Sequence, residues 1–418
     1  MLKFAYAMKS NVIASKELKI SLFLFLPPAI LDFFKFPMRF AIVSIIFVSV
    51  FIYYMNYLRF RRIAFSFPAI LFLALMLYHC ANAFNKEVPG FNYVDVLHGL
   101  KLYSCLIIIS YWAFKDFIKT TKILLITFIV RCAIVLLFSS IASDYSEVER
   151  ITGIGGSATG LGQTAALTGI FIVYYNVFKK VGLTRNLLFF ILPIIVIILS
   201  QTRNALAMIM ISIFTTTFLM VQGKRGASLL RALPILVLTV VFSLLLMSAL
   251  NDTHFGQRFQ SGFDEAYNHR YSTGTFFDVI VGDRIVYYIR GWEFFLSSPI
   301  TGIGMHNYKN LTGGIYPLHS EFMVQLCEGG IIGSALWLLF ILFMFFVIMK
   351  YIKDAKIKIA ASSSMIVLLF CAIYAREFWG EAFYPIYGLI LAWYYKHRDY
   401  IKRKRSIRQK LMYMHSTV

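Results

Sequence analysis

His319 has the clearest capacity for chemistry in this chain. It follows Pro317 at the start of an apolar helical run, and a neutral imidazole there can take a proton from a hydroxyl near pH 7. Glu321 lies two residues on. Arg203 sits in SQTRNAL (200–206), a polar break between two apolar runs. A guanidinium offers a planar fork of donors to phosphate oxygens. The competing reading of Arg203 is an interfacial side chain reaching water. For His319 it is a ring that hydrogen-bonds a loop. Arg284 and Arg290 lie six residues apart in DRIVYYIRGWEFFLSSP (283–299). On a helix they point about 120° from each other, so they do not grip one ligand together. Arg284 is the better anion anchor, because it stands in the first turn, where the helix dipole attracts negative charge. It shares a face with Tyr288. Arg290 suits Glu293 or a lipid headgroup. In ERITGIGGSATG (149–160), Arg150 precedes a run of small residues whose backbone amides can cradle an anion.

Several chemistries are excluded. No GxSxG, HExxH, Walker loop or strand-linked GxGxxG occurs. Nucleotide use and a metal cluster are therefore not expected. Cys80, Cys105, Cys132, Cys327 and Cys371 are scattered without a CxxC, which argues against a disulfide framework or a zinc site.

These residues need elements to position them, and the composition says what those elements are. Of 418 residues, 59% are apolar and only 15% are charged, which excludes a water-soluble globular protein. Twelve apolar runs succeed one another, from 20–27 through 378–395. The expected fold is an all-α polytopic membrane bundle of about 12 helices. Residues 1–250 would hold the first nine, with an outer loop at 143–160. Residues 251–328 would form one large outer loop containing short helices, including an amphipathic helix over 283–299 with Ile285, Ile289, Trp292 and Leu296 at helical spacing. Residues 301–314 read as a glycine-rich loop, and 317–330 as the start of a helix continuing into the next span. Residues 329–395 would hold the last three helices, and 396–418 a basic tail.

The net charge of +21 fits this topology better than nucleic-acid binding. Alternate loops are basic: Arg59, Arg61 and Arg62, then Lys115, Lys119 and Lys122, and so on to Lys350, Lys353, Lys356 and Lys358. The positive-inside rule places these loops and both termini in the cytoplasm. The tail then reads as an anchor to anionic membrane lipid. His319, Arg203, Arg284 and Arg150 all fall on the other side.

At these residues the chain resembles the bacterial O-antigen ligases, within the wider superfamily of O-antigen ligases and polymerases. His319-Ser320, a nine-residue spacer and Gly330-Ile331-Ile332-Gly333 fit the family's pattern of His followed by Asn, Ser or Gln, a nine-residue spacer and GxxG. Ser334 stands where threonine is common. Arg203 matches the arginine after a Gln-Thr pair, and Arg284 the arginine opening the large-loop helix. The resemblance implies an inner-membrane enzyme with a periplasmic site. Its donor is an undecaprenyl-diphosphate-linked O-antigen glycan and its acceptor a sugar hydroxyl of the lipid A–core. No nucleotide, metal or other cofactor takes part, and the anomeric centre is expected to invert. His319, Arg203 and Arg284 are the implied catalytic residues, with Arg150, Arg290, Tyr288 and Glu321 binding substrate. An O-antigen or capsule polymerase using the same donor is the alternative. A polysaccharide or lipid-carrier transporter is a third reading, weakened by the absence of repeated halves and of acids at mid-span.

Overall fold

The computed structural model describes residues 15–27, 31, 38–141, 158–178, 183–200, 203–222, 285–313, 318, 320–374 and 383–416. Every regular element among them is an α-helix: α1 Lys16–Phe25, α2 Arg39–Met55, α3 Leu58–Ala64, α4 Phe67–Asn85, α5 Tyr93–Lys115, α6 Phe117–Ile141, α7 Ala158–Phe178, α8 Leu183–Ser200, α9 Arg203–Gln222, α10 Ile285–Ser297, α11 Asn307–Leu311, α12 Glu321–Tyr351, α13 Ala355–Tyr374 and α14 Tyr384–Ser416.

The helices follow the apolar runs, and local chemistry sets their ends. Pro68 stands in the first turn of α4, where its missing N–H costs nothing. A capping box opens α5: Asn92 Oδ1 accepts from Val94 N at 2.8 Å, and Asn92 N donates to Asp95 Oδ2 at 3.0 Å. Asp354 caps α13 through the amides of Lys356 and Ile357 at 2.9 and 3.1 Å.

Five described helical segments are long and apolar enough to cross a membrane: Phe67–Asn85, Tyr93–Lys115, Phe117–Leu137, Glu321–Tyr351 and Ala355–Ile373. Shorter apolar helices cover Phe40–Met55, Phe189–Ser200 and Ala205–Met220. α1, on the first apolar run, has 10 residues, about half the length of a span. The run at 232–250 and the loop at 143–157 lie outside the described residues, as does most of the large outer loop.

α5 is the central helix. Its residues from Lys101 to Ala113 are all buried, against α2 on one side and α14 on the other. Hydroxyls join helices inside the apolar core. Ser363 of α13 lies 2.6 and 2.8 Å from the hydroxyls of Thr215 and Thr216 on α9. Such bonds hold helices together where lipid removes the hydrophobic drive between them.

The bundle has two chemically distinct ends. At one, Arg59, Arg61 and Arg62 of α3 meet Arg398 and Lys402 of α14. At the other, α4 ends against α12 and the 299–304 loop. α14 runs unbroken for 33 residues, so the last apolar run and the basic tail are one helix about 50 Å long. From Tyr400 to Ile407 every residue on it is exposed.

Candidate active site

The site is built on a broken helix. α12 is helical on both sides of Gly330, which takes φ 62° and ψ −161°. That backbone interrupts the i to i−4 ladder and frees polar groups that lipid could not satisfy. The loop 299–304 satisfies them. Ile331 N and Ile332 N donate to Pro299 O and Ile300 O at 2.9 and 3.2 Å. In return Ile303 N donates to Cys327 O at 2.9 Å, and Gly304 N to Glu328 O at 3.1 Å.

Two side chains of α4 close the junction. Tyr78 Oη donates to Gly329 O at 2.8 Å and lies 3.1 Å from Thr301 O. Asn82 Nδ2 donates to Thr301 O at 2.6 Å and to Glu328 O at 3.1 Å. Two glycines make the approach possible. A Cβ on Gly330 would stand 2.4 Å from Gly302 N, and one on Gly302 would stand 2.5 Å from Glu328 O. Both also hold positive φ, at 62° and 73°.

One turn before the break lies a chain of buried polar groups. Gln325 Nε2 donates to Glu321 Oε1 at 2.6 Å. The amide oxygen therefore faces His79 of α4, whose Nε2 donates to it at 2.8 Å. Glu321, Gln325, Glu328 and His79 are each no more than 1% exposed. Buried ionisable groups in a membrane bundle are expensive, and they mark working sites. Ser320 caps α12, accepting from Met323 N at 3.4 Å, and its hydroxyl donates to Ala372 O of α13 at 3.3 Å.

α10 packs on this assembly. Tyr288, Phe294 and the buried Gly291 face Leu318 and Met323 at the entry to α12, and Tyr288 Oη donates to Ile373 O at 2.8 Å. The opposite face, with Ile289, Trp292 and Leu296, is exposed. The apolar stripe foreseen on this helix thus points outward, as a surface against lipid would.

Of the residues expected to do chemistry, Glu321 stands in the buried chain. Tyr288 commits its hydroxyl to a backbone carbonyl and fastens α10. Arg290 is exposed, facing away from the α12 contact. Arg203 is the first residue of α9, and its side chain lies outside the described atoms. Phe117 packs on Tyr174, so α7 ends where α6 begins. His319, Arg284 and Arg150 lie outside the described residues. They are bordered by Leu318 and Ser320, both buried, by Ile285 at the start of α10, and by the stretch before α7. The structure adds Tyr78, His79, Asn82 and Gln325. For the three on α4 the signal in the sequence is three polar residues within five positions near the end of an otherwise apolar run. Among the described residues no group of three or more His, Cys, Asp or Glu side chains is placed to hold a metal ion.

Residues 188–338 match the family described as O-antigen ligase. Over this segment the chain is similar to that family. No curated protein matches it. The matched segment runs from α8 past the break in α12, so it contains Arg203, Arg284 and His319 together with the 299–304 loop and Gly330. α4, which supplies Tyr78, His79 and Asn82, lies outside it. With its apolar helices, the chain is a multi-pass membrane protein carrying a segment similar to that family.

Proposed function

We propose that the chain is an O-antigen ligase of the bacterial inner membrane, with its site facing the periplasm. It transfers a glycan from undecaprenyl diphosphate to a sugar hydroxyl of the lipid A–core. The observation that carries this reading is the family match, which encloses Arg203, Arg284 and His319.

The chemistry balances without a nucleotide. The bond between the anomeric carbon and the donor phosphate oxygen breaks, and undecaprenyl diphosphate leaves with the electron pair. The acceptor oxygen forms the new glycosidic bond from the opposite face, which inverts the anomeric centre. Its proton passes to His319. Arg203 and Arg284 neutralise the charge that develops on the diphosphate. Each role supplies on the order of 10²–10⁴-fold. Glu321 and Gln325 follow His319 on α12 and are tied to His79 of α4, and the junction at Gly330 holds this turn of α12 in place. The cytoplasmic assignment of the termini follows from the basic residues gathered at the far end.

The test is reconstitution of the purified full chain with a defined lipid-diphosphate glycan and lipid A–core. Core extended by the glycan, lost in His319→Ala and Arg284→Ala while membrane insertion persists, is the expected result. In cells, a deletion that leaves core bearing a single repeat, instead of bare core, would assign a polymerase. Normal capping of core in the deletion strain would refute both.

A further inference from the structure

The end of the bundle remote from the candidate active site carries a second site. Between α3 and α14 a cavity of about 560 Å³ is lined by Arg59, Arg61, Arg62, Arg398 and Lys402. Its apolar wall includes Leu58, Phe65 and Phe114. A neighbouring cavity of about 420 Å³ shares Arg59, Phe114 and Asp399, and adds Lys115, Lys396 and Arg403. Asp399 is the acid among the described lining residues, and it already pairs with Arg403 at 2.9 Å. The excess of positive charge is therefore strong and local.

We propose that this groove binds the phosphate headgroup of an anionic phospholipid. Three observations select that ligand. First, α3 joins the apolar helix ending at Met55 to the span beginning at Phe67, so the groove lies at the end of the apolar spans, at the depth of bilayer phosphates. Second, arginine supplies four of the five cations of the larger cavity, and its fork suits phosphate oxygens in two-point contacts. Third, the lining is amphiphilic. Leu58 and Phe65 are 57% and 65% exposed beside the arginines, a surface for acyl chains that a soluble polyanion would leave uncovered. Basic pockets between membrane helices take anionic headgroups for this reason. The volume and the number of cations leave room for two phosphates, so a lipid with two separate phosphodiesters, cardiolipin, binds more tightly than phosphatidylglycerol.

The proposal does not depend on the proposed transfer reaction, and its test needs no activity. The purified full chain is titrated with cardiolipin, phosphatidylglycerol, phosphatidylcholine and inorganic phosphate, with binding read by native mass spectrometry. The variants are Arg59→Gln/Arg61→Gln/Arg62→Gln in the groove and Lys404→Gln/Arg405→Gln on the exposed part of α14. The groove variant is expected to weaken cardiolipin binding on the order of 100-fold, at about fivefold per basic residue, and the α14 variant to change it little. Arg59→Lys/Arg61→Lys/Arg62→Lys keeps the charge, and intermediate binding there shows that the fork matters while guarding against misfolding. Equal losses in the groove and α14 variants would overturn the site in favour of diffuse surface attraction. Equal affinity for phosphatidylcholine would overturn it too. Displacement of lipid by millimolar inorganic phosphate would assign the groove to a soluble anion.

Discussion

The two ends of this bundle handle polar groups at similar depth by opposite means. At the α4–α12 junction the groups are neutral or buried, and each is tied to another. Tyr78 and Asn82 alone place donors 2.6–3.1 Å from three carbonyls of the broken helix and its loop. At the basic end most of the cations stand exposed on long stems, and some lean on rings. Lys115 lies 4.3 Å from the Tyr111 ring centre, and Lys396 lies 4.8 Å from that of Trp393. The first arrangement fixes backbone positions, because an unmade bond inside the bundle has no water to replace it. The second sets a field and tolerates movement, because exposed charges are hydrated and screened. Chemistry that needs aligned groups belongs at the first end, and recognition of a headgroup at the second.

That contrast predicts a gradient of mutational effects. The largest belongs to Gly330→Ala. The new methyl would meet backbone atoms of Gly302 and Ile300 within 2.7 Å, and φ 62° is strained for any residue with a Cβ. We expect a loss of more than about 3 kcal/mol, seen as a sharply lowered thermal midpoint in detergent and rapid proteolysis of the 299–304 loop. A near-normal midpoint would mean that the loop and the helix break are not locked together.

Next is Gln325→Leu. The substitution removes the amide that joins His79 to Glu321 inside the bundle. Buried polar groups deprived of a partner cost about 1–3 kcal/mol, more where one is charged. The expected outcome is a loss of that order with a parallel fall in glycan transfer. Retained transfer at full stability would detach this chain from the site. Tyr78→Phe should cost less, about 1 kcal/mol. Asn82 continues to donate to Thr301 O in that variant, so only Gly329 O loses its described side-chain donor.

The helices were legible in the sequence because lipid forces unbroken apolar runs, and the ends of α5 and α13 were written in Asn92, Asp95 and Asp354. The break in α12 was not. A glycine inside an apolar run reads as a tolerated residue, and the loop that fills the break ends 26 residues earlier, at Gly304. His79 was equally hidden, for its partner Gln325 is 246 residues away and one histidine scarcely alters an apolar run. The stripe on α10 was seen, but not the side it would face; a helix bordering lipid turns its apolar side outward. The basic loops were read as topology signals. That residues near 60 and near 400 share one groove depends on the packing of α14 against α5, which periodicity cannot report.

The smallest effect tests the exposed side of the comparison most sharply. Arg403 and Asp399 form an i, i+4 pair at 2.9 Å on α14, and the arginine side chain is 66% exposed. Exposed helical pairs of this kind contribute about 0.3–0.5 kcal/mol, and salt weakens them. Arg403→Ala should therefore shift the thermal midpoint by a degree or less, and the shift should vanish at high salt. The partner acid makes the variant informative. Removing Arg403 takes away the cation that pairs with Asp399 in the wall shared by the two basic cavities, so lipid phosphate would meet a less shielded carboxylate there. Stability and lipid binding should then separate, the first nearly unchanged and the second reduced several-fold. If both fell together, the basic end would be a structural lock like its counterpart, and the division of labour between the two ends would be lost.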